Sequence, residues 1–341
     1  MDLSKLYKPV DYIIDSGGKN IRGLIIHYIQ SLLHNDDNHL TQFFIADLNI
    51  IHSASLVIDD IQDNSDKRRG NPSAHIIYGM PWSINSAYLK IFTFLNSIDN
   101  NNDNNNDNNN DRYGLHTEIF RTIYMNCIEK IHIGQGLDIL WTKEQYIPTL
   151  EEYLYMCDNK TGICFNCAAQ LCLESLIQTN IQTNIHKKDI VYNLTKNIGR
   201  FFQIRDDYIN LTCPKYWQLK GFGEDLDEKK LSYIFVVLNK LDPMDKLYMK
   251  LYTTDTLSQD NKIDIYTYLY NKNIFKLIFD ELELYKTIII NIEQQITNNG
   301  EKSEFLKLFF KKLEYNLPIE PIDLKPIILI SKISKISKIH I

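Results

Sequence analysis

Two aspartate clusters, about 150 residues apart, each end a long apolar, helix-like run: IDDIQDNSDKRRG (Ile58 to Gly70) and FFQIRDDYINL (Phe201 to Leu211). In each, the first and fifth positions, Asp59 with Asp63 and Asp206 with Asn210, are four residues apart, so on a helix they project from one face. Like charges held that way repel. A chain carrying two such helices must bring them to a shared centre of positive charge. Hard oxygen ligands suit Mg²⁺, which keeps waters and shares its octahedron with a substrate's phosphates. Basic residues back both clusters, Lys67, Arg68 and Arg69 after the first and Lys215, Lys220, Lys229 and Lys230 after the second. Carboxylates for metal and cations for phosphate oxygens are the parts of a diphosphate site.

The runs leading into these clusters, LTQFFIADLNIIHSASLVI and DIVYNLTKNIGRFFQIRDDYINL, are poor in Gly and Pro and apolar at helical spacing. Short alternating runs bounded by turn signals are missing, so the spacing predicts an all-α chain. At 341 residues and 44% hydrophobic, the chain has ample apolar side chains for a core. A net charge of −6, with the basic residues beside acidic motifs instead of in a patch of their own, argues against nucleic acid. No apolar run reads as a transmembrane span, and MDLSKLYKP has neither a signal peptide nor an Arg-rich transit pattern, so a cytoplasmic protein is expected. The six cysteines form no disulfide framework, and the C-x-x-C of Cys164 and Cys167 lacks a second pair, so buried free thiols are expected. Asp99 to Asp111 is an Asn-rich tract that cannot bury apolar surface and is expected to be a disordered insertion between helices. SKISKISKIHI, from Ser331 to Ile341, reads as a partly disordered basic-apolar tail, with at most a peripheral membrane contact.

Taken in order, GGKNIR (Gly17 to Arg22), HSASLVIDDIQDNSDKRRGNPSAHIIYG (His52 to Gly79), GQGLDILW (Gly134 to Trp141), KTG (Lys160 to Gly162), FFQIRDDYINL and KGFGEDLDEKKLS (Lys220 to Ser232) resemble the trans-isoprenyl diphosphate synthases. The similarity is greatest to the short-chain eukaryotic geranylgeranyl diphosphate synthases. It implies a single-domain isoprenoid-synthase helical bundle around a central cavity over residues 1–313, with 314–341 as a C-terminal extension. It also implies a homo-oligomer and a requirement for several Mg²⁺ ions.

On its own, GGKNIR is as consistent with an ordinary helix start as with anion binding at a helix N-terminus. The resemblance gives Lys19, Arg22, His52 and Arg69 to the diphosphate of isopentenyl diphosphate. His52 stands seven residues before Asp59, two helical turns, and so shares its face. By the same likeness Arg68, Lys160, Thr161, Gln203, Lys220 and Lys230 hold the allylic diphosphate, and Asp59, Asp63 and Asp206 hold metal. Catalysis then consists of ionising the allylic C–O bond, with Lys160 and Lys220 assisting the metal carboxylates, condensation with isopentenyl diphosphate, and loss of a proton. Asn210, a neutral amide where the motif ends in Asp, is expected to stand behind Asp206 or be unused.

Product length depends on the depth below the first aspartates. Ala54 and Ser55, small residues about one turn before Asp59, leave the channel open, and the resemblance puts its floor near Phe92 and His132. This points to a C20 product from dimethylallyl, geranyl or farnesyl primers. Ile91 departs from a Tyr found in some relatives, so farnesyl or longer-chain synthases stay as alternatives, behind them a terpene cyclase or a non-catalytic regulatory subunit.

Overall fold

In the first acidic helix, Phe44, Leu48, Ile51, Ala54 and Val57 recur every three or four residues, and all are buried. That stripe sets the pattern for the rest of the chain. The computed structural model describes residues 2–33, 40–99, 117–178, 185–254, 256–297 and 303–336. After a short 3₁₀ turn come helices α1 Lys8–Asp15, α2 Ile21–Leu32, α3 Thr41–Gln62, α4 Ala74–Tyr78, α5 Met80–Asp99 and α6 Thr117–Glu144. They continue as α7 Leu150–Cys157, α8 Ile163–Gln178, α9 Ile185–Thr212, α10 Pro214–Trp217, α11 Glu224–Asp227 and α12 Tyr233–Leu241. The last are α13 Leu247–Thr253, α14 Gln259–Asn271, α15 Ile274–Thr297, α16 Glu304–Lys312 and α17 Pro321–Ile336. The all-α expectation holds: among the described residues the only strands are β1 Lys67–Arg68 and β2 Asn71–Pro72.

Helix α3 packs on α1, α2, α5 and α8, and α9 packs on α7, α8, α12 and α15, so α8 stands against both acidic helices. The main core gathers rings such as Phe44, Phe120, Tyr124, Phe165, Phe201 and Tyr208, all fully buried; each contributes about 1.5–3 kcal/mol by leaving water. A smaller cluster of Val10, Ile13, Ala54, Val57, Ala74, Ala87 and Ile91 fills the space between α1, α3 and α5. The expected thiols are free; five are buried and Cys213 is half-buried. Helix α3 is long and apolar enough to cross a membrane by length and composition, contrary to the sequence reading. Its apolar face is accounted for by packing against neighbouring helices in the core.

Two backbone devices aim the site. Helix α7 runs into a π-helical turn, Asp158–Gly162, before α8; such wide turns redirect side chains and recur at functional sites. Arg200 holds this turn with two hydrogen bonds of 2.7 Å to Asp158. Gly134 lets α6 touch it, because a Cβ there would lie 2.3 Å from the backbone nitrogen of Lys160. The second device is the β1–β2 hairpin, in which Arg68 pairs with Asn71. Arg69 and Gly70 between them have φ of +56° and +84°, the two positive angles of a turn that matches strand twist.

The C-terminal extension begins as an integral strap. Leu313, Tyr315, Leu324 and Ile328 are buried, and Arg205, Tyr208 and Tyr266 donate to the carbonyls of Glu314, Asn316 and Ile319. Backbone past Ser331 is helical as far as Ile336, and residues 337–341 lie outside the described residues. The boundary at 313 is therefore not a structural one. The Asn-rich tract from Asn100 onward also lies outside the described residues.

Candidate active site

Both acidic clusters sit toward helix C-termini, where the macrodipole disfavours negative charge, so each carboxylate needs a cation. The hairpin supplies one: Arg68 donates from Nη2 to Asp59 at 2.8 Å and from Nε to Asp60 at 2.7 Å. Lys160, delivered by the π turn, stands 2.6 Å from Asp138 and 3.9 Å from Asp59. Lys230 bridges Asp63 at 2.6 Å and Glu228 at 2.9 Å, and Lys220 meets Glu224 at 3.1 Å. The repulsion foreseen between Asp59 and Asp63 is thus quenched by neighbouring cations.

These side chains line an inner cavity of about 200 Å³ that contains Asp59, Asp63, Arg68, Lys160, Thr161, Gln203, Asp206, Lys220 and Lys230, nine residues assigned from the resemblance. Next to it lies a larger cavity of about 610 Å³ with Lys19, Arg22, His52 and Arg69, all four expected at the isopentenyl diphosphate position. Arg22, His52, Arg68, Asp206 and Lys220 face both cavities. An outer mouth of about 790 Å³ opens over Asp63, Lys220 and Lys230. Because neighbouring side chains across the hairpin turn diverge, Arg68 reaches the inner carboxylates while Arg69 lines only the second cavity.

Burial would raise the Asp59 carboxyl, but Lys160, Arg68, Lys230 and Lys220 outweigh it and hold it well below the usual range. At Lys160 burial is the largest influence, but Asp138, Asp59 and Asp63 together outweigh it and raise the ammonium above its ordinary value, so it stays charged. His52 goes the other way: burial and then Arg22, Arg69 and Arg68 push it well below its ordinary value. It is a neutral hydrogen-bonding group at physiological pH. Asp60, fully buried with Oδ2 unpartnered, is pushed up to about 6 by burial, only partly offset by Arg68.

A raised native pKa means that folded Asp60 binds its proton before the unfolded chain does, so its contribution to stability grows as pH falls from about 6 towards 4. Thermal melts of wild type and Asp60→Asn should therefore show the wild type gaining on the variant across that interval. A constant difference between the two would mean that Asp60 keeps an ordinary carboxylate pKa.

Sequence reasoning passed over several contributors. Asp138, four residues after Gly134 in GQGLDILW, is the partner of Lys160. Asp207 accepts from Tyr153 Oη at 2.6 Å, Gln203 Nε2 at 2.9 Å and the Tyr233 backbone at 2.7 Å. Thr161 Oγ1 in turn donates to Gln203 Oε1 at 2.5 Å, so a hydrogen-bonded chain anchored on buried Asp207 orients the Gln203 amide. Asn210 is buried and bonded to Asp225 at 2.9 Å, and it lines none of the cavities described above.

The chain-length pocket needs correction. Ser55 lines the inner cavity, but Ala54 packs into the small cluster between α3 and α5. Phe92 is 60% exposed and His132 is exposed, and neither lines a cavity described above. His132 follows Ile131, which does face the cavity, and one residue on a helix turns the side chain by about 100°. The apolar wall under the carboxylates is Leu56, Ile131, Met156, Cys164 and Phe202.

A divalent cation fits this donor set. Asp59 and Asp63 from α3 and Asp206 from α9 present hard oxygens to one cavity. Among the described residues no three His, Cys, Asp or Glu converge tightly enough to chelate by themselves, because each carboxylate leans on a lysine or arginine. Diphosphate oxygens between the two helices would complete such a site.

The polyprenyl synthetase family model matches residues 3–269. The chain belongs to that family. It is 31% identical over 304 residues to a geranylgeranyl pyrophosphate synthase of Dictyostelium discoideum, covering 89% of this chain and 91% of that one. It is 36% identical over 264 residues to the geranylgeranyl pyrophosphate synthase olcC of Penicillium canescens, covering 76% and 70%. The sesterterpene synthase btcA of Colletotrichum orbiculare is 34% identical over 233 residues, but this chain spans only 30% of it. Among solved structures, a Caulobacter crescentus polyprenyl synthase complexed with calcium and isoprenyl diphosphate superposes with a TM-score of 0.71 at 17% identity, covering 92% of this chain and 88% of that one. A Pyrococcus horikoshii geranylgeranyl pyrophosphate synthetase gives 0.71 at 19%, covering 91% and 90%. The fold is that of the polyprenyl synthases, and the protein is a prenyltransferase.

Proposed function

We propose that this prenyltransferase is a geranylgeranyl diphosphate synthase, condensing isopentenyl diphosphate with dimethylallyl, geranyl or farnesyl diphosphate in the presence of Mg²⁺. The observation that carries the reading is the pair of adjoining cation-lined cavities, one with six carboxylates, Asp59, Asp63 and Asp206 among them, and one with Asp206 as its single carboxylate, sharing Arg22, His52 and Arg68. Two diphosphates can then lie side by side with their carbon ends close. Bound Mg²⁺ would neutralise the leaving diphosphate. Arg68, Lys160, Lys220 and Lys230 bind that diphosphate and favour its departure, since charge develops on its oxygens as the C–O bond lengthens. Lys19, Arg22, Arg69 and neutral His52 hold the second diphosphate and present its double bond. The apolar wall of Leu56, Met156 and Phe202 excludes water that would quench a cationic carbon.

The reading includes a homo-oligomer that covers the exposed apolar side chains of α5 and α6, among them Tyr88, Phe92 and Met125, and a cytoplasmic location.

The test is product analysis of purified protein with labelled isopentenyl diphosphate, Mg²⁺ and each primer, expected to end at C20. Ser55→Phe should shorten the product towards C15 with little effect on primer KM, because the ring would fill the cavity below the diphosphates. An unchanged distribution would remove Ser55 from the chain path, and a farnesyl or cyclic final product from the wild type would overturn the assignment.

A further inference from the structure

The second cavity is lined by six basic side chains, Lys19, Arg22, Arg68, Arg69, Arg205 and Lys220, against a single carboxylate, Asp206. Arg205 was not singled out by the motifs and is the most enclosed of the group directly paired with that carboxylate, its side chain being 5% exposed. It donates from Nη1 to Asp206 at 2.8 Å and from Nη2 to the Glu314 carbonyl at 2.8 Å. Its Nε is buried without a partner, as is that of Arg22. Adjacent residues on α9 diverge by about 100°, so Arg205 faces only the second cavity while Asp206 faces both.

Resting on the substrate placement above, we propose that Arg205 is a further isopentenyl-diphosphate-binding side chain, held in reserve on Asp206 and released to the second diphosphate when that carboxylate is engaged by a divalent cation in the first cavity. One carboxylate cannot satisfy a metal and a guanidinium fully at once. Freed of Asp206, a buried guanidinium with an unpartnered N–H needs an anion, because an unpaired charge away from water is costly. The nearest place for one is the cavity it lines. The strap carbonyl of Glu314 keeps the side chain oriented towards that cavity in both states. Filling of the first site thus strengthens binding at the second, and linkage makes the effect reciprocal.

The test is calorimetric titration of isopentenyl diphosphate into the full chain, first in EDTA and then with Mg²⁺ and a non-ionising thiolo analogue of the allylic diphosphate. Wild type should bind about tenfold more tightly in the second condition, and Arg205→Gln should reduce that gain to under about twofold while changing the EDTA affinity little. Asp206→Asn, which unties Arg205 without metal, should bind isopentenyl diphosphate more tightly than wild type in EDTA, a gain that misfolding cannot imitate. An undiminished gain in Arg205→Gln, or an equal loss in both conditions, overturns the proposal, as does Asp206→Asn binding no better than wild type. Arg22→Gln distinguishes the two levels. If it leaves binding intact, the cavity is not the isopentenyl diphosphate site and the functional reading falls as well; if it weakens binding while Arg205→Gln spares the gain, only the role of Arg205 falls.

Discussion

Asp59→Ala should lower turnover by at least about 10²–10³, the loss seen when one preorganised charge-stabilising group is removed from a buried site. Asp59 answers to Arg68 and Lys160 and offers metal-binding oxygens, so its removal disorders the cations on the leaving diphosphate and the carboxylate side together. The melting midpoint should fall at neutral pH. Folded Asp59 is held below its ordinary pKa, so it stabilises the native state above the unfolded pKa, and the contribution is lost as pH falls through the folded value. The variant should therefore lose less on acidification than wild type. Full turnover in the variant at saturating Mg²⁺ would remove Asp59 from the chemistry; a raised midpoint would show that repulsion with Asp63, not pairing with Arg68 and Lys160, dominates in the free enzyme.

Arg69→Ala should raise the KM for isopentenyl diphosphate, and Lys160→Ala the KM for the allylic primer, each by roughly ten- to a hundredfold, as expected for loss of one charge-assisted contact. Those two residues give the cleanest separation, because Arg69 lines only the second cavity and Lys160 only the first. Arg22 and Lys220 face both, so variants there should impair both substrates. Crossed effects for Arg69 and Lys160 would mean that the two diphosphates are assigned to the wrong cavities.

The paired carboxylates were legible in the sequence because their chemistry is local, whereas the roles of Lys19, Arg22, Arg68 and Arg69 came from the resemblance of their motifs to a known family. A helix sends residues four apart to one face, whatever surrounds them; the hairpin turn that separates Arg68 from Arg69 was seen only in the structure. All-α architecture followed from periodicity for the same reason. The partners were not legible, since Asp138 for Lys160, Tyr153 and Tyr233 for Asp207, and Asp225 for Asn210 are joined by packing between helices distant in sequence. The floor of the cavity was misplaced on the same account. Phe92 and His132 were expected at its base, but which face of a helix meets a cavity is set by how its neighbours pack, and both side chains are exposed. The extension past Leu313 read as a loose tail because its prolines and short repeat carry no strong pattern. Only the fold shows Glu314 and Asn316 tied to Arg205 and Tyr208 on the catalytic helix. What the sequence determined was the set of charges and their order along each helix; the tertiary structure decided which charges meet, because pairing across a cavity is a property of several helices at once.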